Sequence, residues 1–217
     1  MNELHFLQRM FEGYVTTYRR NMWHTTSGHS DMTAGELGFF ETLGIHLGYT
    51  VRREMNWDHP RDLCWCETAI HKRGDRLDID AKTVLYLERE NNDSRVVPTV
   101  KKLLISTNTP VGIPYLVGVF GWATRSTLAE AKGFARAELP KTPHNQLMLI
   151  SWVGEKVDGE FMVEAWIVAR SEDGQMVEYT REATPMLDRA GYWYMHFEGD
   201  LNWHVARSAR RWPAVTC

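Results

Sequence analysis

The run from Arg76 to Asn91 constrains this chain more than any other stretch. A polar–apolar alternation around Asp78 gives way to Val84-Leu85-Tyr86-Leu87, which leads straight into Glu88-Arg89-Glu90-Asn91. Four apolar residues in a row fit a strand buried on both faces. Glu88 and Glu90 lie two apart, so they point to the same side of the sheet. Carboxylates at the end of a buried strand are costly unless something compensates them, and a divalent cation is the commonest compensator. The alternative is a strand that runs out into solvent, with both glutamates as ordinary surface acids.

The other elements follow from periodicity. Leu7, Met10, Phe11, Tyr14 and Tyr18 fall at helical spacing and predict a helix over 3–21. A second helix is expected to open at Thr33, with Thr33-x-x-Glu36 as a capping box, and to stop at Gly48. Glu41 falls at the edge of its apolar stripe of Leu37, Phe40, Gly44 and Leu47. Strands are expected over 49–55 and 61–69. Asp78 lies on a third, and 83–90 forms a fourth or continues the third. Asp93 or Ser94 caps a helix with Pro98 in its first turn. Its stripe of Val97, Val100 and Leu104 places Lys101 on the buried edge and Lys102 toward solvent.

A strand over 115–122 comes next, then a helix opened by Thr127-x-x-Glu130 and closed by Pro140. After that the chain turns to β structure: 147–153, an Asp158-Gly159 hairpin turn, 160–170, and one more strand within 191–197. The expected class is α+β, a mixed sheet flanked by helices with a β-rich C-terminal part. We expect one domain over 1–217, with a helical extension at 1–32, a core at 34–122 and a β-rich elaboration at 145–217.

With 43% apolar residues the chain can fill a sizeable core, which excludes disorder. No apolar run reaches about 18 residues and Met1 opens no signal-peptide pattern, so the expectation is a soluble, cytoplasmic protein with no membrane partner. The formal charge of −3 gives no global attraction to nucleic acid. Any such binding would rest on local patches: Arg19-Arg20, Arg52-Arg53, or Arg207 with Arg210 and Arg211.

His59, Cys64, Cys66 and His71 form a candidate zinc cluster. Against it, the spacing is C-x-C within a strand-like segment rather than C-x-x-C. The alternative is two small buried side chains flanking Trp65. No Ser-His-Asp order, P-loop or dinucleotide fingerprint is present.

Taken together, Glu41 on a helix, then Leu47 to Glu54, then Asp78, then a buried strand carrying Glu88-x-Glu90 resembles the PD-(D/E)XK nuclease superfamily. The resemblance covers about 34–122 and implies the restriction-endonuclease-like core order of helix, three strands, helix, strand. It implies metal-dependent phosphodiester hydrolysis of nucleic acid, DNA more than RNA, with Mg²⁺ or Mn²⁺ as cofactor. It maps the second-strand acid to Asp78, the (D/E)-x-K pair to Glu88 and Glu90, and the helix carboxylate to Glu41. These four are the expected metal ligands. Glu90 stands where the family has lysine, and Lys101 is the candidate replacement. Without such a cation the site would hold four acids, each pushing the others' pKa upward. Competing expectations are a catalytically inactive relative that binds or assembles, and a zinc-stabilised module. A homodimer is the default assembly.

Overall fold

The computed structural model describes residues 3–21, 29–55, 61–73, 76–104, 112–154, 161–171, 173–190, 193–197 and 202–211. The Asp158-Gly159 turn, His59, Cys217, and the side chains of His71 and Asp78 lie outside them.

Two helices, α1 (Glu3–Asn21) and α2 (His29–His46), precede three strands, β1 (Thr50–Met55), β2 (Arg61–Arg73) and β3 (Arg76–Glu90). A short 3₁₀ turn at Asp93–Arg95 leads into α3 (Val96–Leu104), then β4 (Tyr115–Ala123) and α4 (Arg125–Glu138). The remainder is β5 (Gln146–Gly154), β6 (Phe161–Arg170), β7 (Gln175–Leu187), β8 (Trp193–His196) and β9 (His204–Arg211). The class is α+β, as expected. No helix among the described residues is long and apolar enough to cross a membrane.

One nine-stranded mixed sheet carries the fold, in the order β1 to β8, with β9 also paired to β7. β1, β2 and β3 form an antiparallel meander, while β3–β4 and β4–β5 are parallel. Parallel neighbours need a crossover, and α3 and α4 supply the two crossovers here. These helices cover one face, where Val100, Leu103, Leu116, Leu128 and Leu149 pack together. On the other face α1 and α2 lay Leu7, Phe11, Tyr14 and Phe40 over Leu63, Trp65, Leu85 and Leu87. The stripe read from α1 is therefore its buried face. Covering on both sides explains why all nine residues of β5 are buried.

Several expectations need correction. The segment 76–90 is one continuous strand, so Asp78 and Glu88 belong to the same β3. α2 begins at His29, which puts Thr33 and Glu36 inside the helix rather than at a capping box. Thr124, not Thr127, caps α4, its side chain accepting from the Thr127 N–H. Asn92, not Asp93 or Ser94, caps the turn before α3. The long β7 and the pairing of β9 along it were not anticipated, because no sharp alternation marks either segment.

Two glycines are required by close approach. A Cβ on Gly44 would sit 2.7 Å from Val51 Cγ2 and 2.6 Å from the Trp65 indole nitrogen, so only glycine lets α2 reach the sheet there. A Cβ on Gly112 would fall 1.6 Å from the Pro143 carbonyl oxygen, where the entry to β4 crosses the entry to β5.

Candidate functional site

Alternation along β3 sorts its C-terminal residues between the two layers. Leu85, Leu87 and Arg89 face α1 and α2, whereas Tyr86 and Glu88 face α3. The register of β2 against β3 pairs Leu63 with Leu87, which sets Asp62 beside Glu88 on the neighbouring strand.

Glu88 is the centre of the arrangement. It is only 4% exposed. Lys102 Nζ, on the second turn of α3, donates to Glu88 Oε2 at 2.7 Å. Arg61 Nε lies 3.7 Å from Glu88 Oε1. That oxygen is buried and has no hydrogen-bond partner among the described residues. Burial pushes the Glu88 carboxyl up to about 7, and the charge on Asp62 adds to the rise; Lys102 and Arg61 pull the other way. Burial outweighs both cations because each is held back, Lys102 by partial exposure and Arg61 by a distance beyond hydrogen bonding.

Besides Glu88, Arg61 touches the Tyr86 ring and the end of α3. Its guanidinium lies 5.2 Å from the centre of the Tyr86 ring. Its Nη2 donates to the Lys102 carbonyl at 2.7 Å, one of the carbonyls that the end of α3 leaves without a helical partner. Asp62 Oδ2 accepts the Arg89 N–H at 2.6 Å.

The expected residues separate. Asp78 is ten residues before Glu88 on the same strand, roughly 33 Å away at about 3.3 Å per residue. A single cation cannot bridge that span, so β3 does not bring Asp78 to Glu88; the neighbouring-strand acid is Asp62. Glu90 does share the side of Glu88, but its Oε1 accepts the N–H groups of Asn91 and Asn92 at 2.9 and 3.1 Å, and its Oε2 lies 3.8 Å from Arg95. Glu41 sits on α2, on the opposite face of the sheet, paired with Arg53 at 2.5 Å.

The lysines are exchanged. Lys101 is exposed, its ammonium 5.2 Å from the centre of the Phe134 ring, while Lys102 reaches Glu88.

Glu36 has a role that the sequence did not reveal. It is fully buried, accepts from Tyr14 at 2.8 Å and pairs with Arg89 Nε at 2.5 Å. This pair lies behind the sheet and ties α1 and α2 to the strand that carries Glu88.

The thiols of Cys64 and Cys66 are free, buried and 4.0 Å apart, with Cys66 3.8 Å from the Thr83 hydroxyl. Cys64 and Cys66 do flank a buried Trp65, as one of the two readings expected.

Among the described residues, no group of three or more His, Cys, Asp or Glu side chains gathers as a metal site. A cation at Glu88 would therefore rest on two carboxylates, Glu88 and Asp62. A hard cation such as Mg²⁺ is commonly held by one or two carboxylates and keeps several waters. Both oxygens of Glu88 already face protein cations, Lys102 at 2.7 Å and Arg61 at 3.7 Å, a lining that suits a buried ion pair better than a hydrated divalent ion.

No protein-family model matches this chain, and no curated protein matches it. Solved structures do give matches. One is the crystal structure of the central domain of yeast acetyl-CoA carboxylase, with a TM-score of 0.37 and 5% sequence identity over 81% of this chain. This chain spans 36% of that structure. A likeness this distant indicates neither family nor activity.

Proposed function

We propose that this protein hydrolyses phosphodiester bonds in nucleic acid with the help of Mg²⁺ or Mn²⁺, at a site built from Asp62, Glu88 and Lys102 on a restriction-endonuclease-like core. The observation that carries the reading is the 2.7 Å contact between Lys102 and a buried glutamate that has a second acid beside it on the adjacent strand. The element order supports it: α2, the antiparallel meander β1–β2–β3, then α3 and a β4 parallel to β3. That is the order the PD-(D/E)XK resemblance implies, with Glu88-x-Glu90 at the end of the third strand. Asp62 takes the second-strand position first given to Asp78.

In this reading Glu88 and Asp62 would hold the cation, which when bound supplies Lewis-acid stabilisation of charge developing on the phosphate. Lys102 takes the place of the missing strand lysine. It is tethered by Glu88, so its ammonium is positioned before substrate arrives and can steady the developing charge. Glu90 keeps the start of α3 in place by accepting two backbone N–H groups, which in turn fixes Lys102. DNA is the favoured substrate, and no membrane partner is invoked.

The test is Mn²⁺-dependent nicking of plasmid and of single-stranded DNA and RNA. Lys102→Ala is expected to lower the rate about 10²–10³-fold, with Lys101→Ala close to wild type. Equal effects from the two substitutions would refute the role of Lys102.

A second reading is a non-catalytic binding protein on the same core. Glu88 already faces two protein cations, Lys102 and Arg61, which favours it. Mn²⁺ binding without cleavage of any nucleic acid would select this reading.

A further inference from the structure

We propose that Cys64 and Cys66 form a reactive dithiol, in which a hydroperoxide oxidises Cys66 first and Cys64 then closes a disulfide with it. The proposal goes beyond the function inferred above and does not depend on it.

Alternation along β2 turns Leu63 and Trp65 into the core under α1 and α2, so Cys64 and Cys66 share the opposite side of the sheet. Their thiols are free and 4.0 Å apart. A disulfide needs Cα atoms no more than about 6.8 Å apart. Two residues of extended strand span roughly 6.6 Å, so the pair falls just inside that limit. The register irregularity of β2 against β3 lies between Trp65 and Cys66, where the ladder is already interrupted and the strand can contract.

The two sulfurs are not equivalent. Cys66 has two hydrogen-bonding neighbours, the Cys64 thiol and the Thr83 hydroxyl at 3.8 Å. Those bonds, with the charge of Arg52 on β1, hold the Cys66 thiol down at about 6 against the effect of burial. The bond to Cys66 and burial push the Cys64 thiol up. Cys66 is therefore the thiolate and Cys64 the thiol that donates to it, and the thiolate is the nucleophilic form. Cys66 is also the last covered residue before β2 runs into solvent: Glu67, Thr68 and Ala69 are exposed.

In the first step the Cys66 sulfur attacks a peroxide oxygen and the O–O bond breaks. A sulfenic acid forms on Cys66, and the departing oxygen takes a proton from solvent and leaves as water or an alcohol. The Cys64 sulfur then attacks the Cys66 sulfur, the S–O bond breaks, and water leaves with the Cys64 proton. Two electrons pass from the thiols to one peroxide. A small dithiol reverses the bond by exchange.

Trypsin releases both cysteines in one peptide, 62–72, so the mass of that peptide is the readout. Native protein is treated with hydrogen peroxide, its remaining thiols are alkylated in urea, and it is digested. The wild-type peptide is expected to lose two hydrogens and to regain them with dithiothreitol. Cys64→Ser should stop at a sulfenic acid on Cys66 that a cyclic 1,3-dione traps. Cys66→Ser should oxidise at least about tenfold more slowly, because the activated thiolate is gone. The wild-type measurement decides the matter if the variants do not fold. Two results would overturn the proposal: a native wild-type peptide that keeps both thiols under peroxide that oxidises the urea-unfolded chain, or equal oxidation rates for Cys64→Ser and Cys66→Ser.

Discussion

Lys102 Nζ lies 2.7 Å from Glu88 Oε2, so the last helical turn of α3 is tied to the buried end of β3 across a separation of fourteen residues. The contact neutralises a carboxylate that the sheet would otherwise bury alone. Lys102→Met leaves Glu88 with the more distant Arg61. It should destabilise the fold at pH 8 by about 1–3 kcal/mol, while Lys101→Met should stay within about 0.5 kcal/mol. Urea unfolding of the two variants checks this, and a larger loss in Lys101→Met would contradict it.

The Glu36–Arg89 pair is buried on both sides, so removing one partner leaves an uncompensated charge in the core. Arg89→Met is expected to cost about 3–5 kcal/mol. The double substitution Glu36→Leu with Arg89→Met should recover a good part of that loss, because no charge is then stranded. A double variant no better than the single one would show that packing, not charge, dominates there.

Divalent cation should raise the melting temperature, since only the folded chain sets Asp62 beside Glu88. Millimolar Mn²⁺ is expected to give a positive shift that Asp62→Asn and Glu88→Gln abolish. Asp78→Asn should keep it, because its backbone lies roughly 33 Å from Glu88. A shift lost only in Asp78→Asn would overturn the placement of the site.

Two buried groups pull the pH profile in opposite directions. Burial holds His144 down at about 4, against an ordinary 6.5. Its contribution to stability is therefore complete above about 6.5 and is lost as pH falls toward 4. Glu88, raised from 4.5 to about 7, contributes most below 4.5 and loses that contribution as pH rises through 7. His144→Asn should flatten the acid limb, and Glu88→Gln the limb between pH 5 and 8. Thermal melts from pH 4 to 8 separate them; parallel profiles for all three proteins would count against both assignments.

Glycine replacements should split by geometry. Gly133→Ala, in the interior of α4 with nothing within 4 Å of the new methyl, should stabilise by about 0.5–1 kcal/mol. Gly112→Ala drives a methyl into the Pro143 carbonyl and should prevent the native crossing of the two loops. Comparing soluble yield and melting temperature of the pair is sufficient.

Local sequence determined much of this protein. The spacing of Leu7, Phe11, Tyr14 and Tyr18 fixed the buried face of α1. The apolar run 84–87 fixed a strand covered on both sides. The two-residue step from Glu88 to Glu90 put both acids on one side. Each of these depends on a period of 2 or 3.6 residues, which is a property of the backbone and needs no partner.

What only the tertiary structure decided depends on contacts between distant segments. Lys101 and Lys102 stand 100° apart on one short helix, and which of them meets the sheet is set by how α3 rolls against Glu88. Asp62 reaches Glu88 through the register of a long antiparallel pair, and a single-residue slip would turn it to the other face. Glu36 looked like a cap because Thr33 precedes it by three residues. It is a core group because Arg89, 53 residues later, brings a charge to meet it. Periodicity says which side a residue faces; only packing says what waits there.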